Sequence, residues 1–221
     1  MPVFEKLKLW VDPVSRSGPE TMAVDEWLLE TAACPVLRVY AWAGDWGSIG
    51  YFGKIAEARE VFPGLDLVRR WTGGGMVDHR ADWTYTLAVP AGEPLAGLRG
   101  AESYRQIHEI LMRALEDEHL EALISDGERA TGATLCFENP VGHDLLGVDG
   151  RKLAGAGQRR SKSGLLHQGS VAVETISNAR AVNFATRLSR TWEEMVRFPD
   201  SEDLGARIHA RYARDEWMNR R

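Results

Sequence analysis

The dipeptide Asp149-Gly150, set between two strand-like segments, constrains the fold of this 221-residue chain more than any other feature. Asp-Gly in such a setting is among the strongest short-range signals of a β-hairpin, and it predicts a type I′ turn with positive φ at both central residues. Lys152 then leaves the turn on a rigid strand. Gly155 and Gly157 fall in that same strand, where glycine weakens pairing and marks a bulge or a group approaching the backbone closely. A hairpin with something packed against its glycines is therefore expected.

Around this hairpin the pattern alternates between helix and strand. Ser17-Gly18-Pro19 begins a helix that ends near Cys34-Pro35 and turns Val24, Trp27 and Leu28 to the core. A strand over 36–42, a glycine-rich turn over 44–53 and a short helix over 55–61 follow. Strands over 66–71 and 83–89 flank Gly73-Gly74-Gly75. The longest helix spans 101–120, with Tyr104, Ile107, Ile110, Leu111, Ala114 and Leu115 as core residues. A further strand pair turns at 161–164, and helices over 178–188 and 202–219 close the chain. Strands in the middle and helices at the ends predict an α+β fold, a sheet layered with helices in one domain over 1–221.

Composition narrows the partners. A net charge of −5 argues against nucleic acid. The opening MPVFEKLKLWVDP lacks a signal-peptide core, and no stretch approaches the roughly 18 apolar residues that cross a bilayer. A soluble cytoplasmic protein with no membrane partner is expected. Cys34 and Cys136 fit neither a disulfide framework nor a zinc pattern, so a reducing compartment is expected and Cys34 reads as a small buried hydrophobe. Arg159, Arg160 and Lys162 form one basic cluster, readable as a solvated hairpin tip or as a dock for an acidic partner or anion.

Two segments carry candidate chemistry. In the run from Arg69 to His79, three glycines strip side chains from backbone beside two arginines; such a loop either holds an anion or acyl carbonyl by its N–H groups or is a flexible hairpin connection. It lacks the Gly-Lys-Ser/Thr end of a P-loop and does not open a helix as a dinucleotide fingerprint does. The second segment holds Cys136 and Lys152. An amine near a thiol lowers the thiol's pKa from about 8.5 and can pass a proton to a leaving group, the logic of covalent acyl transfer; the other reading of Cys136 is an inert buried cysteine. His79 and His167 adjoin glycines without metal-ligand spacing, so no metal is expected. No Gly-x-Ser-x-Gly elbow is present.

Together, RRWTGGGMVDHRADWTYTL and GRKLAGAGQRRSKSGLLHQGS resemble the two signature segments of the lipoate protein ligase, octanoyltransferase and biotin protein ligase superfamily, in order and in spacing. Counting two weaker N-terminal segments, around 22–26 and 48–51, the resemblance covers roughly residues 20 to 175. It implies a catalytic domain with a mixed, largely antiparallel sheet flanked by helices. It implies that Lys152 handles the acyl carbonyl, and that Cys136-Phe137 occupies the place of the nucleophilic cysteine of the ligase-like octanoyltransferases. Substrate-binding positions implied are Arg70, Gly73, Gly74, Gly75, Met76, Val77 and His79 in the first segment, and Gly155, Ala156, Gln158, His167 and Gly169 in the second. Met76 and Val77 line an acyl tunnel or pack in the core.

The activity implied is transfer of an octanoyl or lipoyl group from an acyl carrier protein through a Cys136 thioester to a lipoyl domain or a glycine-cleavage H-like protein, with no cofactor. Many lipoate ligases carry an extra C-terminal domain for which 221 residues leave no room. The first alternative is an ATP- and Mg-dependent lipoate ligase holding lipoyl-AMP with Arg70, the glycine loop and Lys152; His143-Asp144 is similar to the Asn-Asp pair with which ligases contact the adenylate. The second is a non-catalytic carrier-binding subunit.

Overall fold

A computed structural model of the chain describes residues 1–127, 141–173 and 177–220. In chain order the elements are β1 (Phe4–Val11), α1 (Gly18–Thr31), β2 (Val36–Tyr40), β3 (Trp46–Ile49), α2 (Ile55–Val61), β4 (Asp66–Arg69), β5 (Met76–Asp78), β6 (Trp83–Pro90), α3 (Pro94–Gly97) and α4 (Gly100–Glu116). Then come β7 (Ala122–Ile124), β8 (Leu145–Gly147), β9 (Lys152–Ser161), β10 (Gly164–Val171), α5 (Asn178–Leu188), β11 (Ser189–Glu194), α6 (Ser201–Arg207), a π-helical turn (Ile208–Tyr212) and α7 (Asp215–Met218).

One large sheet runs in the order β11-β1-β2-β6-β10-β9-β8-β7, and β4-β3-β5 form a smaller one. Parallel pairing in the large sheet is confined to β11, β1 and β2; from β2 onward the neighbours are antiparallel, the mixed and largely antiparallel α+β arrangement expected. Helices cover both faces. On one, Ile107, Leu111 and Leu115 of α4 and Phe184 and Leu188 of α5 pack on Leu37, Tyr85, Leu87 and Leu165. On the other, Val24, Trp27 and Leu28 of α1 pack on Trp10, Val36, Ala88 and Leu166. Among the described residues no helix is long and apolar enough to cross a membrane.

α1 starts where the sequence places it, with a capping box in which the Ser17 N–H donates to Glu20 Oε2 at 3.0 Å. It is buried almost all round, because Met22 and Ala23 meet Val68 of the small sheet and Tyr212 while the opposite side meets the large sheet. That enclosure places two carboxylates, Asp25 and Glu26, in the interior.

Several expectations need correction. The Asp149-Gly150 turn is not type I′: Gly150 alone has positive φ (78°), its N–H donates to Gly147 O at 2.9 Å, and Asp149 Oδ1 accepts the Arg151 N–H. A type I turn followed by one left-handed glycine makes the same hairpin with one residue more. Residues 44–53 are not merely a turn, since Trp46–Ile49 forms the central strand of the small sheet. α4 ends at Glu116, four residues before the expected 120. The helix expected over 202–219 is broken by a π turn that carries Tyr212 into the core with Met22 and Val68, after which Trp217 donates its indole N–H to Arg69 O. Cys34 is half-buried, and burial raises its thiol pKa.

Candidate active site

Lys152 is the first residue of β9, where two residues oppose one on β8 and the strand is bulged. Its ammonium is sealed inside, with a side chain 2% exposed, and lies 2.7 Å from Asp144 Oδ2, whose side chain is 0% exposed. Asp144 accepts two further bonds, from Tyr104 Oη at 2.5 Å and from the Val141 N–H at 2.7 Å. Tyr104 Oη in turn accepts the Ala156 N–H at 2.8 Å, so α4 ties β9 to the Asp144 segment. His143, beside Asp144, holds a left-handed φ of 72°, and its carbonyl accepts from His108 Nδ1 at 2.7 Å. Burial pushes the His108 imidazole down to about 4 and that of His167 well below its ordinary range, so both are neutral near pH 7. Gly155 is required by the lysine itself: a Cβ there would lie 2.3 Å from Lys152 Cε and 2.5 Å from Nζ.

The glycine loop reaches this strand from the small sheet. It joins the outer strands β4 and β5 across the end of β3, so it is not a hairpin connection, and it is firmly braced. Arg70 donates to Gly73 O at 3.1 Å, Gly75 O at 3.0 Å and Ser48 Oγ at 2.6 Å. A Cβ on Gly50 would meet Gly74 O at 1.9 Å, and one on Gly157 would meet Gly73 O at 2.3 Å. The two sequence segments thus touch backbone to backbone at Gly157, so of the groups expected to approach the β9 glycines the loop meets Gly157 and the Lys152 side chain meets Gly155. Arg69 has a structural role, donating to the carbonyls of Gly50, Tyr51 and Gly53 and to those of Met218 and Arg220.

Below the loop runs a buried polar chain. Thr72 Oγ1 donates to Gln168 Oε1 and Gln168 Nε2 to Asp25 Oδ2, each at 2.7 Å; Asp25 Oδ1 is 2.7 Å from Arg38 Nη1, and Arg38 also holds Asp12. Burial raises the Asp25 carboxyl, against the pull of Arg38.

The cleft between these parts follows one row of the large sheet. Tyr40, Thr84, Ser170 and Gly155 are paired in register across β2, β6, β10 and β9 and share a face. Three strand spacings make that row about 14 Å long, with the Lys152 amine beneath the Gly155 end. Arg70, Val77, His79, Ala156, Gly157 and Gly169 also line it, around a volume of about 20 Å³.

Of the expected site residues, the structure therefore groups Lys152, Arg70, the three glycines, Val77, His79, Gly155, Ala156 and Gly169. Met76 is turned away, packed with Ile49, Ala58 and Phe62. His167 lies on the α4 face, fully buried, near Tyr85 Oη at 3.1 Å and Gln158 Nε2 at 3.0 Å. Gln158 further engages Ser103 and Arg160. Arg159 is no solvated tip residue, since it stacks on Trp71 and Tyr51. Cys136 lies outside the described residues. Asp144, Tyr104 and His108 were not foreseen as a set. The signal for Asp144 was a carboxylate entering an apolar strand, which needs a partner, whereas Tyr104 sat at a core position of α4 and gave none. Among the described residues no group of three or more His, Cys, Asp or Glu is placed to hold a metal ion.

A family model described as the lipoyl protein ligase A/B catalytic domain matches residues 17–194. The octanoyltransferase LipM of Carboxydothermus hydrogenoformans is 34% identical over 174 residues, 75% of this chain and 64% of that protein, so the chain spans a little under two thirds of that relative. Lipoate-protein ligase A bound with ATP has a TM-score of 0.72 at 18% identity, covering 97% of this chain and 98% of its own. A chain from the bi-partite lipoate protein ligase and E2 lipoyl domain structure of Thermoplasma acidophilum gives 0.70 at 16%, covering 100% and 99%. At those identities the structural likeness establishes the fold.

Proposed function

This chain belongs to the lipoyl protein ligase A/B catalytic domain family, and on that footing we propose that it transfers an octanoyl group, in the cytoplasm, from an acyl carrier protein thioester through Cys136 to a lysine of a lipoyl domain or H-type carrier protein. One observation carries the reading: the Lys152 ammonium is fixed by Asp144 directly beneath Gly155, at the end of a cleft whose lining residue Gly157 lies against the braced glycine loop. A preorganised positive charge beside backbone amides, out of water, is what a tetrahedral oxyanion requires. The octanoyltransferase relative supports the acyl group, and the lipoyl domain in the Thermoplasma acidophilum structure supports the acceptor.

The chemistry runs in two halves. Cys136 as thiolate attacks the thioester carbonyl, forming a C–S bond, while Lys152 and the glycine-loop amides hold the oxyanion. Collapse breaks the bond to the donor's sulfur, and Lys152 gives that leaving thiolate its proton. The neutral acceptor amine then attacks the acyl-enzyme, the bond to Cys136 breaks, and Lys152 recovers a proton from the amine as the amide forms. Asp144 holds the lysine in place through both halves. The cycle uses no cofactor.

The test incubates the protein with octanoyl carrier protein and a lipoyl domain, without ATP, and follows the mass of the acceptor. Octanoylation lost in Lys152→Met and Cys136→Ser is expected. Modification that needs ATP and the free acid would overturn the reading.

A further inference from the structure

Two cavities share one aromatic wall. Beyond the 20 Å³ cleft, a second cavity of about 490 Å³ opens on the other side of Trp42 and His79, and Tyr40, Trp42 and His79 border both. The two rings are stacked, with centroids 4.2 Å apart and planes 18° from parallel. One carboxylate latches both. Asp82 Oδ2 is 2.7 Å from His79 Nδ1, while Asp82 Oδ1 accepts from Thr84 Oγ1, which itself accepts the Trp42 indole N–H at 3.0 Å. Ser48 Oγ, 2.6 Å from Nε2, fixes the imidazole from its other side.

This wall stands at the end of the cleft remote from Lys152, because Trp42 follows Tyr40 at the β2 end of the row that begins at Gly155. The cleft as it stands has room for about one water, so an acyl chain must displace part of its lining. Around the Lys152 end that lining includes backbone locked by other backbone, at Gly157 against Gly73. Past Trp42 open volume lies ahead, and its walls there include the apolar Val11, Pro13, Val39 and Trp83 beside the charged Asp12, Asp45, Arg80 and Asp82. The apolar part of that wall suits a hydrocarbon tail.

We propose that Trp42 sets the length of acyl chain the site accepts: its indole, stacked on His79 and latched through Thr84 and Asp82, is the end wall against which the chain stops. The inference rests on the reading that the cleft receives an acyl group. Replacing Trp42 by alanine joins cleft and cavity and lets longer chains extend into the larger volume.

Transfer from octanoyl and dodecanoyl carrier thioesters to a lipoyl domain, compared by intact mass in wild type and Trp42→Ala, tests this. The dodecanoyl-to-octanoyl rate ratio is expected to rise about tenfold or more, the discrimination that apolar contacts of a methylene or two provide, and Trp42→Phe is expected to return most of it. A folded Trp42→Ala protein with the wild-type ratio overturns the inference. Should that variant not fold, Trp42→Leu carries the same test, with a smaller rise expected and no rise overturning it. If the wild type transfers from neither donor, the transferase reading fails separately. Calorimetric binding of octanoic and dodecanoic acids to wild type and variant then decides the length limit by the same ratio.

Discussion

Removing the carboxylate that holds Lys152 probes the centre of the site. Asp144→Ala deletes the acceptor of three bonds, from Lys152 Nζ at 2.7 Å, Tyr104 Oη at 2.5 Å and the Val141 N–H at 2.7 Å. Both charged side chains are sealed from water, so the loss is not screened. Breaking such a buried pair leaves an uncompensated charge and costs about 3–5 kcal/mol, whereas replacing both partners with apolar groups is often about neutral. Asp144→Ala and Lys152→Met are therefore each expected to lower the unfolding free energy by about 3–5 kcal/mol, and the double variant by less than either single alone, so that the coupling exceeds about 3 kcal/mol. Urea unfolding near neutral pH, with unchanged m-values, measures it. Transfer activity separates position from stability: the double variant regains stability but stays at least ~100-fold down, because the proton-handling group is gone. Two single variants that each cost under about 1 kcal/mol and add in the double would refute the coupling, and with it the role of Asp144 in holding the lysine.

Two further outcomes follow from the geometry. A methyl at Gly157 would sit 2.3 Å from Gly73 O and 2.9 Å from Thr72 Oγ1, so Gly157→Ala must push the glycine loop off β9. A displacement of about 1 Å costs on the order of 100-fold in rate, and a Gly157→Ala protein with full transfer activity would show that the contact is not needed. His108 is neutral in the folded state with a pKa of about 4 against 6.5 when unfolded, so the unfolded chain binds the proton more readily between those values. Stability is then fully present above pH 6.5 and falls toward pH 4, by about 3 kcal/mol from this group, with buried His167 acting in the same direction. Denaturation at pH 7 and pH 5 should show the fall, reduced in His108→Gln; an equal pH dependence in both proteins would contradict it.

Most of the large sheet was legible because its strands announce themselves by alternation and its hairpins by glycine. Trp83–Pro90 and Lys152–Ser161 follow those patterns closely. β3 was hidden because Gly47 and Gly50 read as a turn, whereas they are bare for packing against Leu67 and Gly74. The pairing of β11 with β1 joins residues at opposite ends of the chain, which no local signal encodes. In the site, the backbone contact between the glycine loop and β9 was foreshadowed by Gly157, and the close approach of the Lys152 side chain by Gly155. What holds Lys152 was not. Tyr104 and His108 occupy helical positions where an aromatic ring reads as core, and their polar atoms become informative only once β9 and Asp144 are brought against α4. The left-handed His143 beside Asp144 is likewise invisible in sequence, since it is not a glycine and its backbone is held by tertiary bonds, its N–H donating to Ser125 O and its carbonyl accepting from His108.

The most direct measurement of the central claim is the intact mass of the protein itself after brief incubation with octanoyl carrier protein and no acceptor. A single octanoyl adduct is predicted, released by hydroxylamine, absent in Cys136→Ser, and discharged onto a lipoyl domain without ATP. An unmodified protein whose lipoyl-domain product appears only with ATP and free acid, equally in Cys136→Ser, would contradict it.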